Sequence, residues 1–381
     1  MLGFVSLFMD VSSELIHSLL PVFMLTGLGA TMFTVGMVEG AAEATALIVK
    51  VFSGTLSDHL GRRKGLAVLG YGLGALSKPL FAQALTVHWV FVARFMDRIG
   101  KGIRGAPRAA LIADLTAPEI RGAAYGLRQS LDTVGALIGP LLAVGLMLLW
   151  AGDFRAVFWF AVIPAVLSVL ILASGVQEPR TAAERHKCSS PLQWGTLGEL
   201  SRSYWWVVAA GGIFTLARFS EAFLILRAQQ IGLADAYTPL VLVVMNVVYA
   251  MSAYPFGKLA DRMSHQALLV AGLAVLIVSD VILAQAQGLV AVAAGVALWG
   301  LHMGMTQGLL ATMVADTAPA HLRGTAFGFF SLVSGVAILI ASALAGLLWD
   351  KLGAATTFYA GAVFSALALV ILLLRSGVRP Q

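Results

Sequence analysis

Gly54-Thr55-Leu56-Ser57-Asp58-His59-Leu60-Gly61-Arg62-Arg63-Lys64 interrupts two long apolar runs, and a shortened copy, Gly257-Lys258-Leu259-Ala260-Asp261-Arg262, interrupts two more. A second pair accompanies the first. Ala113-Asp114, Ala117-Pro118 and Arg121-Gly122 return as Ala315-Asp316, Ala318-Pro319 and Arg323-Gly324. Both offsets are about 200 residues, so two unrelated loops recur at one spacing and the chain reads as a duplicated membrane unit.

Composition agrees. Hydrophobic residues make up 59% of the 381, charged residues 12%, and mean hydropathy is +0.89, which excludes an ordinary soluble domain. Runs of spanning length fall near 2–26, 32–57, 65–85, 88–114, 123–149, 156–174, 204–230, 236–260, 267–287, 288–314, 325–350 and 355–375. Backbone polar groups cannot stay unpaired in lipid, so these runs are expected to be helices; the period-two alternation of a β-barrel is absent. The first run lacks a basic leader and carries Asp10 and Glu14, the pattern of a retained helix rather than a cleaved signal.

Basic residues gather in alternate loops: Arg62, Arg63 and Lys64; Arg121; Arg180, Arg185, Lys187 and Arg202; Lys258 and Arg262; Arg323; Arg375 and Arg379. The opposite loops offer Arg155 and Lys351. The positive-inside rule then puts both termini and the central loop on the cytoplasmic side of a bacterial inner membrane. The net charge of +6 therefore calls for a lipid bilayer and no nucleic acid. Cys188, the single cysteine, allows no internal disulfide. The polar stretch from Val176 to Ser203 divides the chain into a bundle over 1–175, a cytoplasmic linker over 176–203 and a bundle over 204–381. The expected fold is an all-α membrane protein, about 12 transmembrane helices in two pseudo-symmetric six-helix bundles.

Gly54, Leu56, Asp58, Gly61, Arg62 and Arg63 match the signature loop between the second and third helices of the major facilitator superfamily, which the chain resembles over essentially its full length. In the copy at Gly257, Ser264 replaces the second glycine and the basic pair is lost. Gly135, Gly139 and Pro140 resemble the fifth-helix signature of proton-driven exporters, with Ala143 and Val144 where a glycine pair is usual. Arg98, Lys101 and Gly102 resemble the arginine-bearing signature of drug/metabolite–proton antiporters. The resemblance implies secondary transport by alternating access, and export rather than import.

The loops also have a direct physical reading. Asp58 can face the positive end of a helix, while Arg62 and Arg63 can reach Asp114 or Glu119. With Gly54, Gly61, Arg121, Gly139 and Pro140 they form a candidate gating set that latches in one conformation and releases in the other.

Charge inside a membrane is costly and usually functional. The first span carries Asp10, Ser13, Glu14 and His17 on one face; the second, Glu39, Glu43 and Lys50; the fourth, Arg94, Asp97, Arg98, Lys101, Arg104 and Arg108 within an arc of roughly 120°. Lys78, Arg128 and Asp132 add to the first half, whereas the second offers Arg218 and Glu221 one turn apart, Arg227, Asp280, which is expected to pair locally, and His302. Glu14 and Glu43 are the preferred proton carriers, followed by Asp10 and Glu39, with Arg98 modulating them. Arg94, Lys101, Arg218, Glu221 and Asn246 are the candidate substrate contacts. A static salt-bridge network is the alternative for any one carboxylate.

No phosphate-cradling loop, hydrolase constellation or cofactor motif is present, so neither an enzyme nor an ATP-driven pump is indicated. The expected function is export of a small organic molecule, anionic or zwitterionic, in exchange for protons, by a monomer. Two alternatives stand beside it: an organic-anion/proton symporter, and divalent-metal efflux through Asp10, Glu14, His17 and Glu39.

Overall fold

The computed structural model describes residues 1–60, 63–117, 120–177, 194–260, 262–306, 308–319 and 322–376. Twelve helical segments follow one another, and no strand occurs among the described residues. α1 runs over Leu2–His17 and continues through Leu20–Val22 into a π turn at Phe23–Gly27. α2 is Met32–Leu60, α3 Arg63–Ala82, α4 Val87–Leu115, α5 Arg121–Leu149, and α6 the pair Phe154–Phe160 and Val162–Gly175. α7 is Arg202–Leu216 with Ala222–Gln230, α8 Leu240–Ala260 and α9 His265–Gln285. α10 is Leu289–Thr306 with Leu309–Thr317, α11 Arg323–Leu352 and α12 Ala354–Ser376.

Ten of the twelve are long and apolar enough to cross a bilayer. The other two fall short for different reasons. α4 has 29 residues, about 43 Å of helix at 1.5 Å per residue, but its charges depress its hydropathy. α7 is interrupted at residues 217–221, which leaves helices of 15 and 9 residues. Both remain membrane segments by position. On α4 the apolar side chains Trp89, Phe91, Val92 and Phe95 are exposed, whereas Arg94, Asp97, Arg98 and Arg104 are buried. This is an inside-out amphipathic helix, with its charge kept away from lipid.

Contacts divide the chain into two compact units. The first comprises Met1–Gly29, Ala41–Pro191 and Asp235–Leu240; the second comprises Ala30–Gly40, Leu192–Ala234 and Val241–Gln381. α2 therefore begins in the second unit and continues in the first.

Within each unit the same packing recurs, offset by six helices. α1 lies along α5 and α3 along α4 in the first; α7 lies along α11 and α9 along α10 in the second. Likewise α3 with α6 is matched by α9 with α12. The duplication seen in the loops is thus a duplication of helix packing.

Candidate functional site

Glycines set the spacing from which the polar site of the first unit is built. A Cβ at Gly100 of α4 would fall 2.6 Å from the Gly70 carbonyl oxygen, and one at Gly70 would fall 2.7 Å from the Arg104 nitrogen. Gly102 meets Val49 of α2 at 2.7 Å in the same sense. Such backbone approach holds the charged face of α4 against α3 and α2. At the first crossing Lys78 Nζ donates to Asp97 Oδ1 at 2.7 Å and to Ser13 Oγ at 3.0 Å. Both side chains of that pair are buried, 1% and 3% exposed, and a bond so dry fixes α3, α4 and α1 in register.

Gly135 and Gly139 do for α1 and α5 what the α4 glycines do for α3. A Cβ at Gly135 would lie 3.0 Å from Asp10 Cβ; one at Gly139 would lie 2.8 Å from Glu14 Cβ. The residues resembling an exporter signature therefore seat the two α1 carboxylates. Pro140 is buried beside them in the α5 interior.

Glu14 Oε2 lies 3.4 Å from His17 Nδ1, and Arg98 Nη2 lies 3.1 Å from Glu43 Oε1. Lys101, one turn beyond Arg98, is exposed and makes no direct ion pair among the described residues, although Arg98, Glu43, Glu14 and Asp10 surround it. Arg94 is buried close to Glu43. Asp10 sits among Asp132, Arg104, Arg108 and Lys101. Arg108 Nη1 donates to Ser6 Oγ at 2.7 Å and to Tyr71 Oη at 3.3 Å, and its Nη2 lies 3.8 Å from Asp132, which Arg128 holds at 2.8 Å. Arg104 lies over the Tyr71 ring at 4.9 Å.

Ser6 and Tyr71 were not among the sequence candidates. For Tyr71 a signal existed, since it lies seven residues before Lys78 and so shares its face of α3.

Asp10, Glu14, Glu43, Arg94, Arg98 and Lys101 thus come together in the first unit. Glu39, Arg218, Glu221 and Asn246 belong to the second. Glu39 is fully buried there. Arg218 and Glu221 do not share a helix face as expected, because both lie in or beside the α7 interruption. Nor does the metal alternative find its ligands. Among the described residues no group of three or more His, Cys, Asp or Glu could hold a metal ion. The expected local partner of Asp280 is also missing, for neither carboxylate oxygen is hydrogen-bonded among the described residues.

In the gating set, Arg63 pairs with Asp114, the α3 start with the α4 end. Arg121 Nε donates to Ala113 O at 3.0 Å and Thr116 O at 3.3 Å, a cation on the C-terminal carbonyls of α4. Gly61, Arg62 and Glu119 lie outside the described residues, as does the environment of Gly54 and of the Asp58 side chain.

Comparison with known proteins agrees with this architecture. The family model described as Major Facilitator Superfamily matches residues 2–335 and 222–381. An uncharacterised MFS-type transporter of Methanocaldococcus jannaschii is 29% identical, over 98% of this chain and 93% of that protein. The multidrug resistance protein MdtH of Yersinia pestis is 24% identical, over 80% of this chain and 75% of its own. In fold, the crystal structure of a point mutant of the nucleoside transporter NupG superposes with a TM-score of 0.81 at 12% identity, covering 98% of both chains.

Proposed function

Since the chain belongs to the Major Facilitator Superfamily and is a multi-pass membrane transport protein, we propose that it exports a small anionic or zwitterionic organic molecule in exchange for protons. It does so across an inner membrane, by alternating access, with both termini cytoplasmic. One observation carries this reading: Lys101 stands exposed and without a direct ion pair among the described residues, within electrostatic reach of Glu14 and Glu43, each of which already holds another side chain. The likeness to a multidrug resistance protein supports the outward direction.

Exchange needs two ligands that compete. The cationic end of a zwitterion displaces the proton from Glu14 or Glu43, while its anionic end meets Lys101. When the proton returns, the carboxylate is neutral and the substrate loses its counter-charge. A second reading rests on the Arg98–Glu43 pair, which at 3.1 Å opens when Glu43 takes a proton. Arg98 is then free for an anion, and proton and anion travel together.

Proteoliposomes separate the two. A thermal-shift panel of small zwitterions and carboxylates selects a ligand, which is then added to vesicles carrying a pH gradient and a trapped pH dye. Under exchange, protons and ligand move in opposite directions; co-directional movement establishes the symport reading. Glu43→Gln and Glu14→Gln are expected to abolish gradient-driven flux while the protein stays folded in detergent. Unchanged flux removes that residue from coupling.

A further inference from the structure

One buried acid of the second unit takes no part in the site described above. Asp280 of α9 is 0% exposed, and neither Oδ1 nor Oδ2 has a hydrogen-bond partner among the described residues. A Cβ at Gly361 of α12 would sit 2.7 Å from Asp280 Oδ2 and 3.0 Å from Phe219 Cε1, so glycine is what makes room for the acid. Phe219 in turn packs on Trp299, Phe223 and Phe358, with ring centroids 5.3, 5.6 and 5.5 Å apart. Phe219 lies within the α7 interruption, where Ser220 N donates to Ser342 Oγ of α11 at 3.1 Å.

Among the described residues, no neighbouring element neutralises Asp280. From α7, Arg227 gives its guanidinium to the carbonyls of Leu283, Ala284 and Ala286, and Arg218 lies over the Phe214 ring near Glu221 and Tyr249. From α10, His302 places Nδ1 on Gly272 O at 2.8 Å. α12 brings only Tyr359 as a titratable side chain between Ala354 and Leu373. An ionised carboxylate here has lost its water and gained no donor, whereas the protonated acid avoids that cost.

The geometry points to Asp280 as a proton-binding site of the second unit, closed by the α7 interruption and opened when Phe219 moves aside. On opening, the carboxyl O–H bond breaks, the proton passes to water and the carboxylate is hydrated; closing requires the reverse. An interrupted helix beside a buried ionisable group is where membrane transporters place ligand sites, and here the ligand is a proton. The site depends on the proposed proton coupling only for its use in the cycle, so its test needs no substrate.

Infrared spectroscopy of the purified full chain in water and heavy water provides that test. At neutral pH, wild type is expected to show a carboxylic-acid carbonyl band that shifts in heavy water and is lost in Asp280→Asn but kept in Glu14→Gln and Glu43→Gln. Raising the pH bleaches the band, releases one proton per chain more than Asp280→Asn does, and speeds amide exchange at Ala217–Glu221 beyond the base-catalysed rise that Asp280→Asn retains. If the asparagine variant is not recovered folded, Gly361→Ala, whose added carbon presses on Oδ2, shifts the same band. A missing Asp280 band at neutral pH overturns the inference. So does a band that survives alkaline titration with unchanged exchange, since that marks an inert structural acid. Absent flux with this band intact sinks the transport reading alone.

Discussion

At the residue scale, the first unit treats its buried charges in two ways, and Lys78 and Asp97 show the first. Their bond is 2.7 Å long, with Ser13 as a second acceptor for the ammonium. Removing one partner strands the other in a dry site, so Lys78→Met is expected to cost about 3–5 kcal/mol. Replacing both, as Lys78→Met with Asp97→Leu, recovers most of that loss, because two apolar side chains bury nothing unpaired. Equilibrium unfolding in detergent measures both; equal destabilisation by the single and double variants shows that the pair is not what holds α3 to α4. Lys101, Glu14 and Glu43 show the second treatment. Glu43 is 37% exposed against 5% for Arg98, and Lys101 is exposed too, so this group is accessible in a way the Lys78 pair is not. Under the proposed function, accessibility separates the charges that exchange a ligand from those that brace helices. Residue type alone does not: the sequence offers Lys101 as a substrate contact and Lys78 only as one more charge of the first half, without the Asp97 partner that buries it.

At the scale of elements, close helix approach positions the carboxylates, and α5 provides its own control. Gly139 has Glu14 Cβ and Val11 O each 2.8 Å from where a Cβ would stand, whereas Gly145 on the same helix has nothing within 4 Å. Gly139→Val must push α1 away from α5, at on the order of 1–3 kcal/mol, and displace Glu14. Gly145→Val is expected to be neutral. Thermal stability and gradient-driven flux, measured on both variants, check the contrast; equal behaviour means that the α1–α5 contact is not tight in the membrane. The helix-five glycines are legible in the sequence, as are the helix ends: α3, α9 and α12 begin and stop within a few residues of the apolar runs. The α7 interruption is not. Ala217-Arg218-Phe219-Ser220-Glu221 contains no proline or glycine, and what stops the helix there is tertiary: the Ser342 hydroxyl on Ser220 N and the aromatic cluster around Phe219. Nor does periodicity reveal that Glu39 and Glu43, one turn apart on α2, have neighbours in different units.

At the scale of the whole molecule, the two units share one packing plan but not one chemistry. The first holds Lys50, Lys78, Arg94, Arg98, Lys101, Arg104, Arg108 and Arg128 within its apolar runs; the second holds Arg218 and Arg227, with Lys258 and Arg375 at the ends of theirs. Duplication therefore supplies the scaffold, and divergence concentrates the charge mainly in one half. Direction of transport then depends on which way the scaffold lies in the membrane. In the proposed topology the basic residues Arg180, Arg185 and Lys187 keep the central loop in the cytoplasm. Cys188 lies in that same stretch and is the chain's single cysteine, so the wild-type protein carries its own reporter. A membrane-impermeant maleimide is expected to leave Cys188 unlabelled in sealed right-side-out vesicles and to label it in inverted ones. Labelling from the outer face reverses the assigned topology. Proton entry and substrate exit would then exchange sides, and the same proposed site would serve import, with the Arg63–Asp114 pair at the outer face.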